Sequence, residues 1–313
     1  MIIDAHCHLA PPEAPGVPAL KDVDAFLERK AQDGIDLAVV VHSIVNIPGL
    51  GGVLDRVKRW NEFALGVREQ HPERVAVMVG VDPFVGAEML EEARRAVALG
   101  SRGFTVSSSV EGRRLDDPEV EDLWSLAEEL DVPVFIHPPV GPGEPGDPRL
   151  AEFGNRAVDV GLSLAAAIFA GVLDRHPTLR LVAASGGGGV AALAGRLDAA
   201  YRIPELAGAA LGPPAPPAEG NAKPDGGPFP RQAPSSYLRR IYIDTLMFSE
   251  PALRCALEVF GPDRLLFGTD WPPVAIPASV SLDLIRGWDI PEDVRAGILG
   301  GNAAELLGLP LAG

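Results

Sequence analysis

Eight short apolar runs, separated by stretches of helical periodicity or turn residues, constrain this chain more than any other feature. They are Ile2 to Ala5, Leu37 to Val41, Val75 to Val81, Gly103 to Val106, Val132 to Ile136, Leu179 to Ala183, Ile241 to Ile243 and Arg264 to Phe267. Most are rich in branched side chains and show no polar alternation, as expected of strands buried on both faces. Between them apolar residues recur at helical spacing. Val23, Phe26, Leu27 and Ala31 precede Gly34, and Val120, Leu123, Leu126, Ala127 and Leu130 follow Asp116-Asp117-Pro118. Repeated strand–helix units with doubly buried strands favour closure into a barrel over an open sheet. The expected fold is a single α/β domain, a (β/α)8 TIM barrel over residues 1–313 with right-handed crossovers.

Length alone leaves one or two domains open, but 47% hydrophobic and 22% charged residues describe a globular chain with a large aliphatic core. The formal charge of -16 argues against a nucleic-acid partner and an anionic membrane surface. An anionic substrate needs a local positive feature to overcome that field. Cys7 and Cys255 are too few and too far apart for a disulfide framework or a multi-cysteine zinc site, which suggests a reduced setting. The start, Met1-Ile2-Ile3-Asp4, lacks a signal-peptide pattern, and no run is long enough to span a bilayer, so a cytoplasmic protein is expected.

One segment breaks the rhythm. Residues 203–236 hold nine prolines between Pro204 and Pro234, which rule out a continuous helix or central strand. The segment reads as an insertion loop after strand six: a plain surface insertion, a flap over the active-site end, or an arm reaching a second subunit. The last of these keeps a homodimer open. A shorter Pro/Gly loop, Pro138 to Pro148, follows strand five on the active-site face.

In a barrel, the residues just past each strand's C-terminal end converge on one mouth. Strand one ends in Asp4-Ala5-His6-Cys7-His8, and alternation points His6 and His8 the same way. Strand five ends at His137 and strand eight at Gly268-Thr269-Asp270. Three imidazoles and one carboxylate suit one divalent cation, with Zn2+ the first choice. A lone histidine is usually structural, and His71 and His176, in turns before strands at the opposite end, read that way. His42 closes strand two on the active-site end and is a candidate for substrate binding, with a packing role as the equal alternative.

These residues resemble the amidohydrolase superfamily, and further phrases are similar to its amidohydrolase-2 branch: Val172-Leu173-Asp174-Arg175-His176-Pro177, Ala194-Gly195-Arg196-Leu197-Asp198 and Gly301-Asn302-Ala303. That branch includes aminocarboxymuconate-semialdehyde decarboxylase, related aromatic-acid decarboxylases and some hydrolases. The resemblance implies a metal-dependent enzyme acting on a small molecule. Strand four offers no lysine to bridge two metals, so a mononuclear site is implied. Where the family usually places a histidine before a glycine run, this chain has Ser185, followed by Gly186 to Gly189. A hydroxyl orients water but is a poor base.

The first functional reading is hydrolysis of a small amide, imide or lactone, optionally carboxylated. Asp270 takes the proton of a metal-activated water, and Ser185 positions that water or the substrate. The alternative is nonoxidative decarboxylation of a small unsaturated or aromatic acid. A binding paralogue impaired in catalysis is the second alternative.

Overall fold

The computed structural model describes residues 1–41, 52–139, 147–202 and 230–310. Its main sheet has eight strands in chain order, all pairs parallel. They are β1 (Ile3–Cys7), β2 (Leu37–Val41), β3 (Val75–Gly80), β4 (Phe104–Ser107), β5 (Val134–His137), β6 (Leu181–Ala183), β7 (Tyr242–Asp244) and β8 (Leu265–Leu266). Beyond β8 the chain returns to β1. Ala5 N donates to Phe267 O at 2.8 Å, Asp270 N to His6 O at 2.7 Å and His8 N to Trp271 O at 2.9 Å, closing the TIM barrel.

The crossovers are helical, and their ends follow local chemistry. Helix α1 (Val23–Gln32) starts where the Asp22 carboxylate accepts from Ala25 N at 2.9 Å, and it is followed by Gly34 at a φ of 71°. Other crossovers include α2 (Val53–Gln70), α3 (Ala87–Ala98), α4 (Glu121–Glu129) and α5 (Arg156–Phe169). Before α4, Asp117 accepts from Glu119 N at 3.0 Å and Pro118 opens a turn of 3-10 helix, as the Asp-Asp-Pro signal suggested.

Strand parity divides the core. Ile3, Ala5, Val39, Val41, Ala76, Met78, Phe135, Val182 and Leu266 fill the barrel, while Ala38, Val40, Val77, Val106 and Ile136 belong to the outer cluster with the helices. Ala303, Ala304, Leu306 and Leu307 of the helix Asn302–Leu307 join the interior cluster, and Gly300 before them abuts Met1 and Ile3 at the start of β1. The bottom of the barrel is thereby plugged, and ligand access is left to the end where the strands finish.

One sequence boundary needs correction. The insertion read as 203–236 ends earlier, because Pro234–Leu238 is a short helix with Pro234 at its first position. Proline forbids helix interiors but suits helix starts, since its missing N–H would be unpaired there anyway. Residues 203–229 of the insertion lie outside the described residues, as does much of the Pro138 to Pro148 loop. Among the described residues no helix is long and apolar enough to cross a membrane.

Candidate active site

The site begins with an irregularity in β1. Asp4 pairs with Ala38 and Cys7 with Val40, so two residues, Ala5 and His6, stand opposite Val39 alone. This bulge changes the parity of the strand. Asp4 faces outward to α1, Ala5 faces the barrel interior, and His6 is also turned inward, followed by Cys7 outward and His8 inward.

His6, His8, His137 and Asp270 come together at the mouth, each offering a ligand atom within 4.8 Å of the others. The three imidazoles meet edge to face, with ring centroids 5.0 to 5.1 Å apart. Each Nδ1 faces an acceptor: His6 the Asp244 carboxylate at 2.7 Å, His8 the Val41 carbonyl at 2.9 Å and His137 the Pro138 carbonyl at 2.8 Å. Acceptors on that side favour the proton on Nδ1 and turn each Nε2 toward the mouth, where that of His8 meets Asp270 Oδ1 at 2.8 Å. The Nε2 atoms of His6 and His137 are buried without a hydrogen-bond partner. Such orphaned atoms cost about 1–3 kcal/mol each unless something binds them. Three neutral nitrogens and one carboxylate oxygen fit a divalent cation.

Crowded together, these groups shift one another's titration. Burial would raise the Asp270 carboxyl, but His6 and His8 hold it well below the usual carboxylate range. Burial pulls His6 down, yet the carboxylates of Asp270 and Asp244 leave it raised. Burial, together with neighbouring His8 and His6, drives His137 well below the ordinary imidazole value. Asp270 itself adopts a left-handed φ of 51°, which turns its side chain back toward His8 Nε2, 2.8 Å away.

Ser185 lies at the start of a left-handed run, φ 53°, continued by Gly186 to Gly189. The glycines are required there. A Cβ on Gly188 would come within 2.2 Å of Ala157 O, and one on Gly186 within 2.4 Å of the Met247 side chain. The turn serves Asp244: its carboxylate accepts from Ser185 N at 2.9 Å, Gly186 N at 2.8 Å and Leu246 N at 3.2 Å, besides His6. Ser185 is therefore linked to the histidine cluster through its backbone.

Three features escaped the sequence reading. Asp244 stands one residue past the apolar run that was read as strand seven. Its signal was an acid at a strand's C-terminal end. Second, Lys30 is fully buried in α1 and binds Asp4 at 2.5 Å and Thr269 Oγ1 at 3.1 Å, while Asp4 also accepts from Thr269 Oγ1 at 2.6 Å and Thr269 N at 3.0 Å. This clamp ties β1 to the segment carrying Asp270. Third, Ser107 stands in register beside His137, its buried hydroxyl without a partner. His42 lies outside the described residues. His176 is structural as expected, its ring between Glu128 at 2.8 Å and Glu121 at 3.0 Å.

The profile of the amidohydrolase family matches residues 3–309. The chain belongs to that family. A relative of this amidohydrolase-family protein, 2-amino-3-carboxymuconate-6-semialdehyde decarboxylase from Dictyostelium discoideum, is 26% identical over 302 residues, covering 92% of this chain and 77% of the relative. The fold matches 5-carboxyvanillate decarboxylase from Sphingomonas paucimobilis with a TM-score of 0.79, at 22% identity and 99% coverage of both chains. It also matches a dihydroxybenzoic acid decarboxylase from Polaromonas sp. JS666 carrying manganese and 2-nitroresorcinol, with a TM-score of 0.78, 21% identity and coverage of 99% and 98%. These findings support an enzyme family, and the manganese in the Polaromonas structure accords with the grouping of His6, His8, His137 and Asp270 here. They back the decarboxylation alternative better than hydrolysis.

Proposed function

We propose that this amidohydrolase-family protein is a metal-dependent, nonoxidative decarboxylase of a small aromatic or unsaturated acid. The observation that carries the reading is the convergence of His6, His8, His137 and Asp270 within 4.8 Å, on a barrel most of whose curated relatives are decarboxylases, though one, matched over about a quarter of this chain, is a lactonase. In this reading those four residues hold one divalent cation, which, when bound, supplies charge that anchors the acid's oxygens. Manganese in the Polaromonas relative makes Mn2+ the first cation to test beside Zn2+.

The reaction breaks one C–C bond. The carboxylate leaves as CO2, its bonding electron pair stays on the carbon, and that carbon gains one proton. Asp270 rests ionised, so the proton comes from a water hydrogen-bonded to it, with Asp270 steering the transfer and the hydroxide left behind regaining a proton from solvent. The Ser185 hydroxyl orients that water or a substrate oxygen, and His42, next in sequence after β2, is the candidate for contacting the substrate. Residues 1–313 act as one domain, with a homodimer as the assembly to test.

A panel of aromatic and unsaturated acids, amides and lactones, offered to protein loaded with Mn2+ or Zn2+, tests the proposal. CO2 release, with one solvent deuterium entering the product carbon in D2O, is the expected result. Hydrolysis of an amide or lactone without CO2 from any acid would return the chain to the hydrolase reading.

A further inference from the structure

Asp270 takes its place at the mouth through a left-handed turn, φ 51°, a conformation that residues bearing a Cβ rarely adopt. The turn sets its Oδ1 2.8 Å from His8 Nε2 and 3.6 Å from His6 Nε2. A strained backbone of this kind persists only where its surroundings hold it. Here both neighbours, Thr269 and Trp271, are held, and one side chain reaches both. It is Lys30, on the buried stripe of α1.

The contacts around its ammonium form a closed set. Lys30 Nζ donates to Asp4 Oδ2 at 2.5 Å and to Thr269 Oγ1 at 3.1 Å. Thr269 Oγ1 donates to the same Asp4 oxygen at 2.6 Å and accepts from Trp271 N at 3.2 Å. The ammonium also stands 5.4 Å from the centre of the Trp271 ring, within range of a cation–π contact. The other carboxylate oxygen, Asp4 Oδ1, accepts from His6 N at 3.2 Å and from Thr269 N at 3.0 Å. Lys30 therefore fixes the residue before Asp270 through its hydroxyl and the residue after it through its ring, while Asp4 ties both to the backbone of His6. A buried ion pair is often no more stabilising than apolar side chains of the same size, so stability alone gives little reason for a lysine on this stripe. Bonds that end on either side of Asp270 give one.

We propose that Lys30 is a positioning residue for the site: by holding Thr269 and Trp271 it fixes the left-handed turn that keeps the Asp270 carboxylate beside the histidines. This rests on the reading of Asp270 as one of the four residues that hold the cation. It does not depend on whether the reaction is decarboxylation or hydrolysis.

A double-mutant cycle of Lys30→Met and Asp270→Ala, read as Mn2+ affinity by chelator competition, tests the proposal without turnover. Asp270→Ala should weaken Mn2+ binding. Lys30→Met should weaken it by at least about tenfold in the otherwise wild-type chain, the usual scale for a residue that orients a metal ligand from behind. In the Asp270→Ala chain it should cost nothing further, because no carboxylate is left to position. A lysine needed only for packing would loosen the histidines as well and cost the same in both backgrounds. That result, or unchanged affinity in folded Lys30→Met, overturns the proposal. Circular dichroism checks the fold of each variant. Lys30→Gln, which keeps a donor without the charge, replaces Lys30→Met in the cycle if the latter does not fold, and failure of both to fold makes Lys30 a folding residue and overturns the proposal too. Unchanged Mn2+ binding in Asp270→Ala is a separate outcome: it removes Asp270 from the cation, and the role of Lys30 with it.

Discussion

Replacing Asp244 with asparagine changes one oxygen for an NH2 group, and the local hydrogen bonds determine which way the amide turns. Oδ1 accepts from Gly186 N at 2.8 Å and Leu246 N at 3.2 Å, and Oδ2 from His6 Nδ1 at 2.7 Å and Ser185 N at 2.9 Å. With NH2 at the Oδ1 position, two backbone donors face a donor. At the Oδ2 position only Ser185 N does, because His6 relieves the other conflict by moving its proton from Nδ1 to Nε2. The second arrangement leaves one unpaired donor instead of two, a saving of about 1–3 kcal/mol. It also blocks the lone pair that His6 would offer a cation. Asp244→Asn should therefore weaken metal binding by roughly 10- to 100-fold, as loss of a carboxylate behind a metal-bound histidine usually does. Chelator competition followed by elemental analysis measures this, and circular dichroism verifies that the barrel is intact. Wild-type metal affinity in a folded Asp244→Asn protein would refute both the tautomer argument and the placing of His6 at the cation.

Other expectations follow from the same geometry. The double variant His6→Ala with His8→Ala should carry no divalent metal by elemental analysis, since half of the proposed ligands are gone. Asp270→Asn keeps an oxygen at the mouth but loses the charge, so turnover on the best acid of the panel should fall at least about a hundredfold while part of the metal remains. Ser185→Ala should lower turnover only by the worth of one hydrogen bond, roughly 3- to 10-fold, and leave metal content unchanged. Glu128 provides a pH test away from the mouth. Although burial opposes it, Thr178 and His176 hold its pKa below the ordinary 4.5. A depressed folded pKa means stability that is fully present above about pH 4.5 and lost as pH falls through the folded value. The drop in melting temperature caused by Glu128→Gln should thus be largest near neutrality and shrink below pH 4.5.

The barrel was legible because its strands are apolar on both faces, and every run anticipated from hydrophobicity overlaps an observed strand. Several of those runs stopped short at the functional end. Ile2 to Ala5 became Ile3–Cys7, Gly103 to Val106 became Phe104–Ser107, and Ile241 to Ile243 became Tyr242–Asp244. The cause is the same in each case: the residues that finish these strands are polar because they face the mouth, and a search for apolar runs discards them. His6, His8, His137 and Asp270 were found by looking at those ends directly. Asp244 and Ser107 could have been found likewise, but one carboxylate or one hydroxyl after a strand carries little information alone. Lys30 was hidden differently. It lies beside Phe26 and Leu27 on the buried stripe of α1, where its ammonium sits 5.2 and 5.4 Å from the Phe26 and Trp271 ring centroids and meets Asp4. Only the partner explains why a lysine is tolerated there.

The extra residue in β1 bears on folding fidelity as well as on the site. In a regular strand, sliding the pairing by two positions preserves which side chains face inward, so such an error is hard to penalise by hydrophobicity alone. Here the doubled position, Ala5 and His6 opposite Val39, has only one place to fit. A slide toward either end of β2 would set the bulge against a neighbour of a different shape and pull Asp4 out of reach of Lys30, stranding two buried charges. The first strand of the chain thus carries its own register mark: a mispaired β1 forfeits this ion pair together with its native neighbours, and the register that keeps the pair is the one that builds the histidine cluster.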